Sequence, residues 1–384
     1  MVGIPRVFRD VVSQPEAVTE LLREITKESA VHHAWLFTGP PGSGRSEMAF
    51  AFSAALVCEQ GGCGVCNSCE MVRVGNHPDV QVLNTERVQI SIDEVSEFID
   101  KSLQMPAVAK YRIMIIEDAD RMSDRTSNLL LKSLEEPPKG TIWMLCAPSE
   151  ADLLATIRSR VRRIMLKVPS VEEVAQLLME KYGVEERLAF VSAAQAQSHV
   201  GMARRLATNS AARDRRKQAL TTVLAITDIP SAMDASVTLL RLAESDGAQL
   251  TAEIDEQERQ ELMARLGISE GSKLTPSSRS QLKKLEDAQK RRATRSKRDG
   301  LDRIFVDLMG LYRDVLTIQL GSSQGLINPD LENEIRGLAR DISQAQAIHA
   351  IEKIQQVRYR IERNVRDSLL MDSLAVSLRR KAKR

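Results

Sequence analysis

Two spacings of apolar residues divide the chain. Over roughly the first 168 residues, short unbroken apolar runs alternate with stretches in which apolar residues recur every three or four positions. Ala34-Trp35-Leu36-Phe37-Thr38, Asp79 to Leu83, Tyr111 to Ile116 and Thr141 to Cys146 have strand length, and runs apolar on both faces predict strands covered from both sides. Glu47 to Val57, Ile92 to Leu103 and Ser127 to Leu134 carry the helical spacing between them. Strand and helix in alternation predict a parallel sheet between helical layers. After Pro169 the strand-like runs stop. Ser170-Val171-Glu172-Glu173 predicts a helix start, with Ser as the cap and Glu three residues on. The expected organisation is an α/β domain over 1–168, a small helical domain over 169–208 and an all-α domain over 209–384. A break at Gly271 to Ser278 interrupts the last. Within it, Ile304, Phe305, Leu308, Leu311, Tyr312 and Val315 form a helical apolar stripe, which fits an internal core and a subunit interface equally well.

Composition narrows the class. The 384 residues are 43% apolar and 28% charged, as in an ordinary folded protein. Lys and Arg number 54 against 52 Asp and Glu, a net +2, which excludes a uniformly basic nucleic-acid binder and leaves only local patches. Arg279 to Arg298 is one, with nine basic residues against Glu286 and Asp287. It reads either as a phosphate-contacting surface or as a solvated helix face. Aromatic residues are almost absent from it, so any DNA contact is expected at the backbone and not by base stacking. The tail from Arg379 to Arg384 reads as a frayed end. No apolar stretch reaches 18 residues, and the start MVGIPRVFRDVV lacks the apolar core of a secretion signal. These features lead to the expectation of a cytoplasmic protein with no membrane association.

Gly39-Pro40-Pro41-Gly42-Ser43-Gly44-Arg45-Ser46 joins the first expected strand to a helix. This is the setting of a phosphate loop, G-x-x-x-x-G-K-[ST]. Gly39, Gly42 and Gly44 let backbone N–H groups around Ser43 face phosphate oxygens, and the Ser46 hydroxyl is placed for Mg²⁺. Arg45 stands where the motif has Lys, a planar fork in place of a compact ammonium. The carboxylates that complete such a site are Glu117 and Asp118, at the end of Ile113 to Ile116. Their order is the reverse of the usual Asp-Glu, which changes each reach by one methylene. A displacement of about 1 Å costs roughly 10²-fold in rate, so little or no hydrolysis is expected.

Four of the five cysteines crowd together as Cys58-x4-Cys63-x2-Cys66-x2-Cys69, with glycines easing the turns. In a reducing compartment this spacing points to a closed tetrahedral zinc site with a structural role. Redox-active thiols and an iron–sulfur cluster are the alternatives. His77 is not needed as a ligand, and Cys146 reads as a plain buried residue.

Several motifs then converge. Phe8-Arg9-Asp10-Val11-Val12-Ser13-Gln14, the phosphate loop, the cysteine insertion behind it, Asn128-Leu129-Leu130-Leu131-Lys132-Ser133-Leu134-Glu135-Glu136-Pro137-Pro138 and Ile157-Arg158-Ser159-Arg160 resemble the clamp-loader branch of the AAA+ ATPases, and within it the delta-prime family of bacterial DNA polymerase III. The likeness is strongest over about 1–168. It implies a RecA-like α/β domain, a helical lid and a helical collar. It implies ATP or ADP with Mg²⁺ as ligands, and gamma/tau and delta loader subunits, a sliding clamp and primed DNA as partners. Spacing alone would read Arg158, Arg160 and Arg162 as one solvated strand face. The resemblance instead implies that Arg160 is an arginine finger acting on a neighbour's nucleotide. It places Arg204 at the family's sensor-2 position, otherwise a plain surface arginine, and Ala147 at sensor-1, where hydrolysing members carry a polar residue. The implied role is a subunit that lends a finger and hydrolyses little ATP itself. The sequence offers no candidate site for polymerase chemistry, which the resemblance assigns to the holoenzyme.

Overall fold

A computed structural model describes residues 4–26, 31–85, 87–266, 275–361 and 365–380. They form two compact units, Met1–Ala207 and Thr208–Arg384.

The first unit is built on five parallel strands, β1 (Ala34–Thr38), β2 (Val80–Leu83), β3 (Arg112–Ile116), β4 (Thr141–Ala147) and β5 (Arg162–Met165), in the spatial order β2-β3-β4-β1-β5. Helices α1 (Pro15–Ile25), α2 (Arg45–Val57) and α3 (Asn67–Arg73) pack on the face that carries Trp35 and Phe37. There the Phe52 ring of α2 meets both aromatics edge-on, at 5.3 and 6.5 Å. Helices α4 (Ile92–Ser102), α5 (Asp124–Glu135) and α6 (Ala155–Arg158) cover the opposite face, against Ala34, Leu36 and Trp143. β1, β3 and β4 are buried along their whole length, which is why they read as unbroken apolar runs. This is the RecA-like α/β arrangement expected.

β5 was not among the expected strands. It is an edge strand of sequence Arg-Arg-Ile-Met in which only Ile164 is buried. Arg162 lies over the Trp35 ring at 5.2 Å and pairs with Glu20 and Glu24 of α1. Three elements therefore divide Arg158, Arg160 and Arg162, and the reading of them as one strand face is corrected: Arg158 ends α6, Arg160 lies in the following turn and Arg162 opens β5.

Beyond the sheet, α7 (Val171–Tyr182) starts at the capping box expected at Ser170, whose hydroxyl accepts from Glu173 N while Glu173 accepts from Ser170 N. Helices α8 (Glu186–Gln195) and α9 (Val200–Thr208) follow.

The second unit is all helical: α10 (Ser210–Leu224), α11 (Ile229–Arg265), α12 (Pro276–Gln319), α13 (Glu332–Asp341), α14 (Gln344–Ile361) and α15 (Asp367–Ser377). The stripe from Ile304 to Val315 is buried in this unit's own core, so it serves intramolecular packing. The basic run lies on α12. Arg292 is held by Asp255 and Glu258 of α11, and Gln289 donates to the Asp255 carbonyl at 2.8 Å. The two long helices touch through small residues. A Cβ at Gly300 would lie 2.9 Å from the Ala243 carbonyl, and Ser296 Oγ donates to the Gly247 carbonyl at 3.2 Å. Of the expected break, Gly271 to Leu274 lie outside the described residues; Thr275 caps α12. Of the basic tail, Lys381 to Arg384 lie outside them too. Arg380 is not frayed: it pairs with Asp341 at 2.8 Å and donates to the Leu224 carbonyl. No helix among the described residues is long and apolar enough to cross a membrane.

Candidate functional site

The phosphate loop sits where β1 ends and α2 begins, the position at which a parallel sheet presents its loops to ligands. Gly42 and Gly44 have φ of +89° and +84°, a region side chains avoid. Crowding adds a second reason for glycine. A Cβ at Gly39 would lie 2.5 Å from Ser43 Oγ, and one at Gly42 would lie 2.6 Å from His199 Cα. Ser43 Oγ is buried with no hydrogen-bond partner among the described residues. A bare hydroxyl inside a glycine-lined turn at a helix N-terminus fits a phosphate group. Arg45 has turned the other way: its Nη1 donates to the Gly39 carbonyl at 2.9 Å, inside its own loop.

Three residues that local patterning did not single out shape this region. Gln14 donates to the Lys167 carbonyl at 2.7 Å and the Ser43 carbonyl at 3.3 Å, and accepts from Lys167 N at 3.0 Å, tying the loop to the end of β5. His199 packs on Gly42 and accepts from Met202 N at 3.3 Å, so it caps the first turn of α9. Gln197 and Ser198 just before it have φ of +48° and +63°, a left-handed pair that only a fixed surrounding retains. The third is Asp120, whose Oδ1 is buried with no partner among the described residues. Burial, then the Asp118 charge, pushes its carboxyl above the ordinary value, with Arg45 among the cations opposing the shift.

The carboxylates lie beyond β3. Asn84 Nδ2 donates to Glu117 Oε2 at 2.6 Å. Asp118 has φ +50° and faces Arg121 at 3.4 Å. Glu117 follows Ile116, which pairs with Leu145 of β4, and Thr38 before the loop pairs with Ala147, so loop and carboxylates lie at the same end of the sheet. Ala147, the last residue of β4, pairs in register with Thr38 of β1 and is completely buried, with no polar side-chain atom to order water.

Arg160 stands apart from this cluster. Its Nε donates to Glu135 Oε1 at 2.7 Å, Nη2 pairs with the same oxygen at 2.5 Å, and Nη1 donates to the Thr156 carbonyl at 2.7 Å and to Ser159 Oγ at 3.0 Å. Its side chain keeps 33% exposure. Arg204, on α9, has its guanidinium 5.9 Å from the Tyr182 ring centre.

The four cysteines come together as their spacing predicts. Cys58 caps the end of α2, Cys63 lies in the loop, Cys66 caps α3 and Cys69 is inside it. Their sulfurs all lie within 4.8 Å of one another, with Cys58 Sγ 3.8 Å from Cys63 Sγ and 3.6 Å from Cys66 Sγ. A tetrahedron with ~2.3 Å metal–sulfur bonds has edges of about 3.8 Å, so the set fits zinc. Burial opposes the Cys58 thiolate, yet N–H groups of Cys63, Gly62 and Gln60 bring it down to about 6. Gly64 N also points at Cys69 Sγ, at 3.4 Å. The loop reaches the N-terminal segment through Val7 N and the Gly62 carbonyl, 3.4 Å apart. His77 is buried elsewhere, accepting from Asp79 N at 3.1 Å.

Residues 14–170 match the family model described as DNA polymerase III, delta subunit, and residues 256–378 match that of DNA polymerase III, delta subunit, C terminal. The delta' subunit of DNA polymerase III of Yersinia pestis is 38% identical over 135 residues, 34% of this chain and 40% of that protein. That of Pseudomonas aeruginosa is 33% identical over 169 residues, 41% of this chain and 52% of that protein. The tau/gamma subunit of Haemophilus influenzae is 30% identical over 178 residues, 45% of this chain and 26% of that protein. The chain thus spans about half or less of the length of these curated relatives.

Proposed function

Because the chain belongs to the AAA+ clamp-loader family, we propose that it is the delta-prime-type subunit of a DNA polymerase III clamp loader. It assembles with gamma/tau- and delta-type subunits and assists the ATP-driven placing of a sliding clamp on primed DNA. Its own contribution is Arg160, offered to the nucleotide of a neighbouring subunit. A guanidinium there stabilises the charge that develops on the transferring phosphoryl group. Contacts to DNA run through the assembled complex and go to the backbone.

The observation that carries this reading is the unequal treatment of two arginines. Arg45 bonds its own loop, while Arg160 is partly exposed and braced from behind. Ala147 and the reversed Glu117-Asp118 pair argue in the same direction, against rapid hydrolysis by this chain. When ATP or ADP with Mg²⁺ is bound, Gly39, Gly42, Ser43 and Gly44 hold phosphate through the backbone, Arg45 and Arg204 supply charge and Ser46 serves the cation. Cys58, Cys63, Cys66 and Cys69 hold a structural Zn²⁺.

Reconstitution with the partner subunits tests the reading. Clamp loading that requires this chain and collapses with Arg160→Ala supports it. Brisk ATP turnover by the isolated chain would favour instead an active gamma/tau-type subunit.

A further inference from the structure

The residues around Arg160 include one whose position local helix chemistry does not favour. Glu135 is the last residue of α5, next to Glu136, where the carbonyl end of the helix already carries partial negative charge. A carboxylate at that end meets like charge and is disfavoured. The prolines at 137 and 138 stop the helix just there, so its length fixes where Glu135 stands. From that position Glu135 Oε1 accepts from Arg160 Nε, 25 residues later, at 2.7 Å and forms an ion pair with Nη2 at 2.5 Å.

The same guanidinium gives both Nη1 hydrogens to Thr156 and Ser159. An arginine has five N–H donors. Three are committed, and Nη2 stands in the ion pair with Glu135. Ser159 Oγ, which accepts one of the three, donates in turn to the Thr156 carbonyl at 3.0 Å. Both partners of the ion pair are partly exposed, at 33% and 46% of their side chains, so the pair adds little to stability. Its effect is on orientation: a long side chain that would sample many rotamers is held between Glu135, Thr156 and Ser159.

We propose that Glu135 is a positioning residue for the finger, orienting Arg160 toward the phosphate of the neighbouring subunit before that subunit docks. This rests on the finger reading above. Glu135 itself touches no nucleotide and acts only through Arg160.

The test uses the reconstituted loader with partner subunits stripped of their own fingers, so that ATPase reports the site that Arg160 serves. Arg160→Ala is expected to lower kcat by about 10³-fold. Glu135→Ala is expected to lower kcat about tenfold with KM for ATP unchanged, the signature of a group that matters only in the transition state. Glu135→Gln, which keeps the shape and the accepting oxygen, should lose less. Glu135→Ala added to Arg160→Ala should lose nothing further. If Arg160→Ala is inactive while Glu135→Ala and Glu135→Gln run at the full rate, the positioning role is overturned and the finger reading stands. If Glu135→Ala lowers the rate equally with and without Arg160, the effect is structural and the proposal is wrong. An Arg160→Ala loader at full rate would remove the finger reading itself.

Discussion

Arg45 and Arg160 lie in the same α/β unit, and each occupies a position where a cation is expected to meet a phosphate. Arg45 folds onto the Gly39 carbonyl of its own loop, beside a glycine that His199 presses against. Arg160 is held by Glu135, Thr156 and Ser159, yet it remains one-third exposed at its side chain. A motif match alone does not separate these two states. What separates them is which acceptors the surrounding backbone brings within reach, the loop's own carbonyl in one case and a carboxylate behind the side chain in the other. Charge at the right sequence position is therefore necessary for such chemistry, and its direction is set by neighbours from other elements.

The contrast predicts unequal outcomes on its two sides. The largest is on the finger side: Arg160→Ala should cost about 10³-fold in ATPase at the site it faces, roughly 4 kcal/mol, and should leave nucleotide affinity of the isolated chain unchanged. An assembled loader that keeps its full rate would erase the contrast. Next comes the cysteine loop, which hangs from the far end of α2. Cys66→Ser should take bound zinc from about one equivalent to less than half and destabilise the first unit by about 3 kcal/mol, read by metal analysis and thermal unfolding. Full zinc content in that variant would show that three sulfurs suffice.

A smaller effect belongs to the phosphate loop itself. Gly42→Ala forces a side chain to φ +89° against the His199 backbone and should cost about 2 kcal/mol or more. Gly61→Ala, at φ +66° but with nothing within 4 Å, should cost only about 1 kcal/mol. Equal melting temperatures for the two would mean that His199 does not close on the loop. The last expected change is in affinity, not stability. Arg45→Lys removes the fork that reaches the Gly39 carbonyl and should tighten ATP binding by about tenfold in calorimetry, near 1.4 kcal/mol. An unaltered Kd would show that the guanidinium is not what limits phosphate access.

Legibility followed the range of the interactions. β1, β3 and β4 could be read because strands covered on both faces leave continuous apolar runs, β2 because Val80, Val82 and Leu83 keep an edge strand largely apolar, and Ser170 because a capping box is complete within four residues. The cysteine site was also local, spanning twelve positions. β5 was hidden because an edge strand with one buried residue, Ile164, has no apolar run to display. Gln14 reaching Lys167, His199 lying on Gly42 and Glu135 bracing Arg160 join positions that only the folded chain brings together. The apolar stripe on α12 was ambiguous for another reason: periodicity specifies a buried face without naming what buries it, and here the covering helices belong to the same unit.

The seam between α11 and α12 has a mechanical consequence. Gly247 against Ser296 and Gly300 against Ala243 hold the two rods too close for either to slide or roll alone. α12 runs 44 residues without interruption, from the buried stripe out through the basic run. At about 1.5 Å per residue, Ser278 lies roughly 45 Å from Leu308. The paired helices thus behave as a stiff lever with its fulcrum in the helical core. A tilt of roughly 5° there would sweep the cationic tip through about 4 Å, turning a small adjustment of packed side chains into a displacement larger than a hydrogen bond.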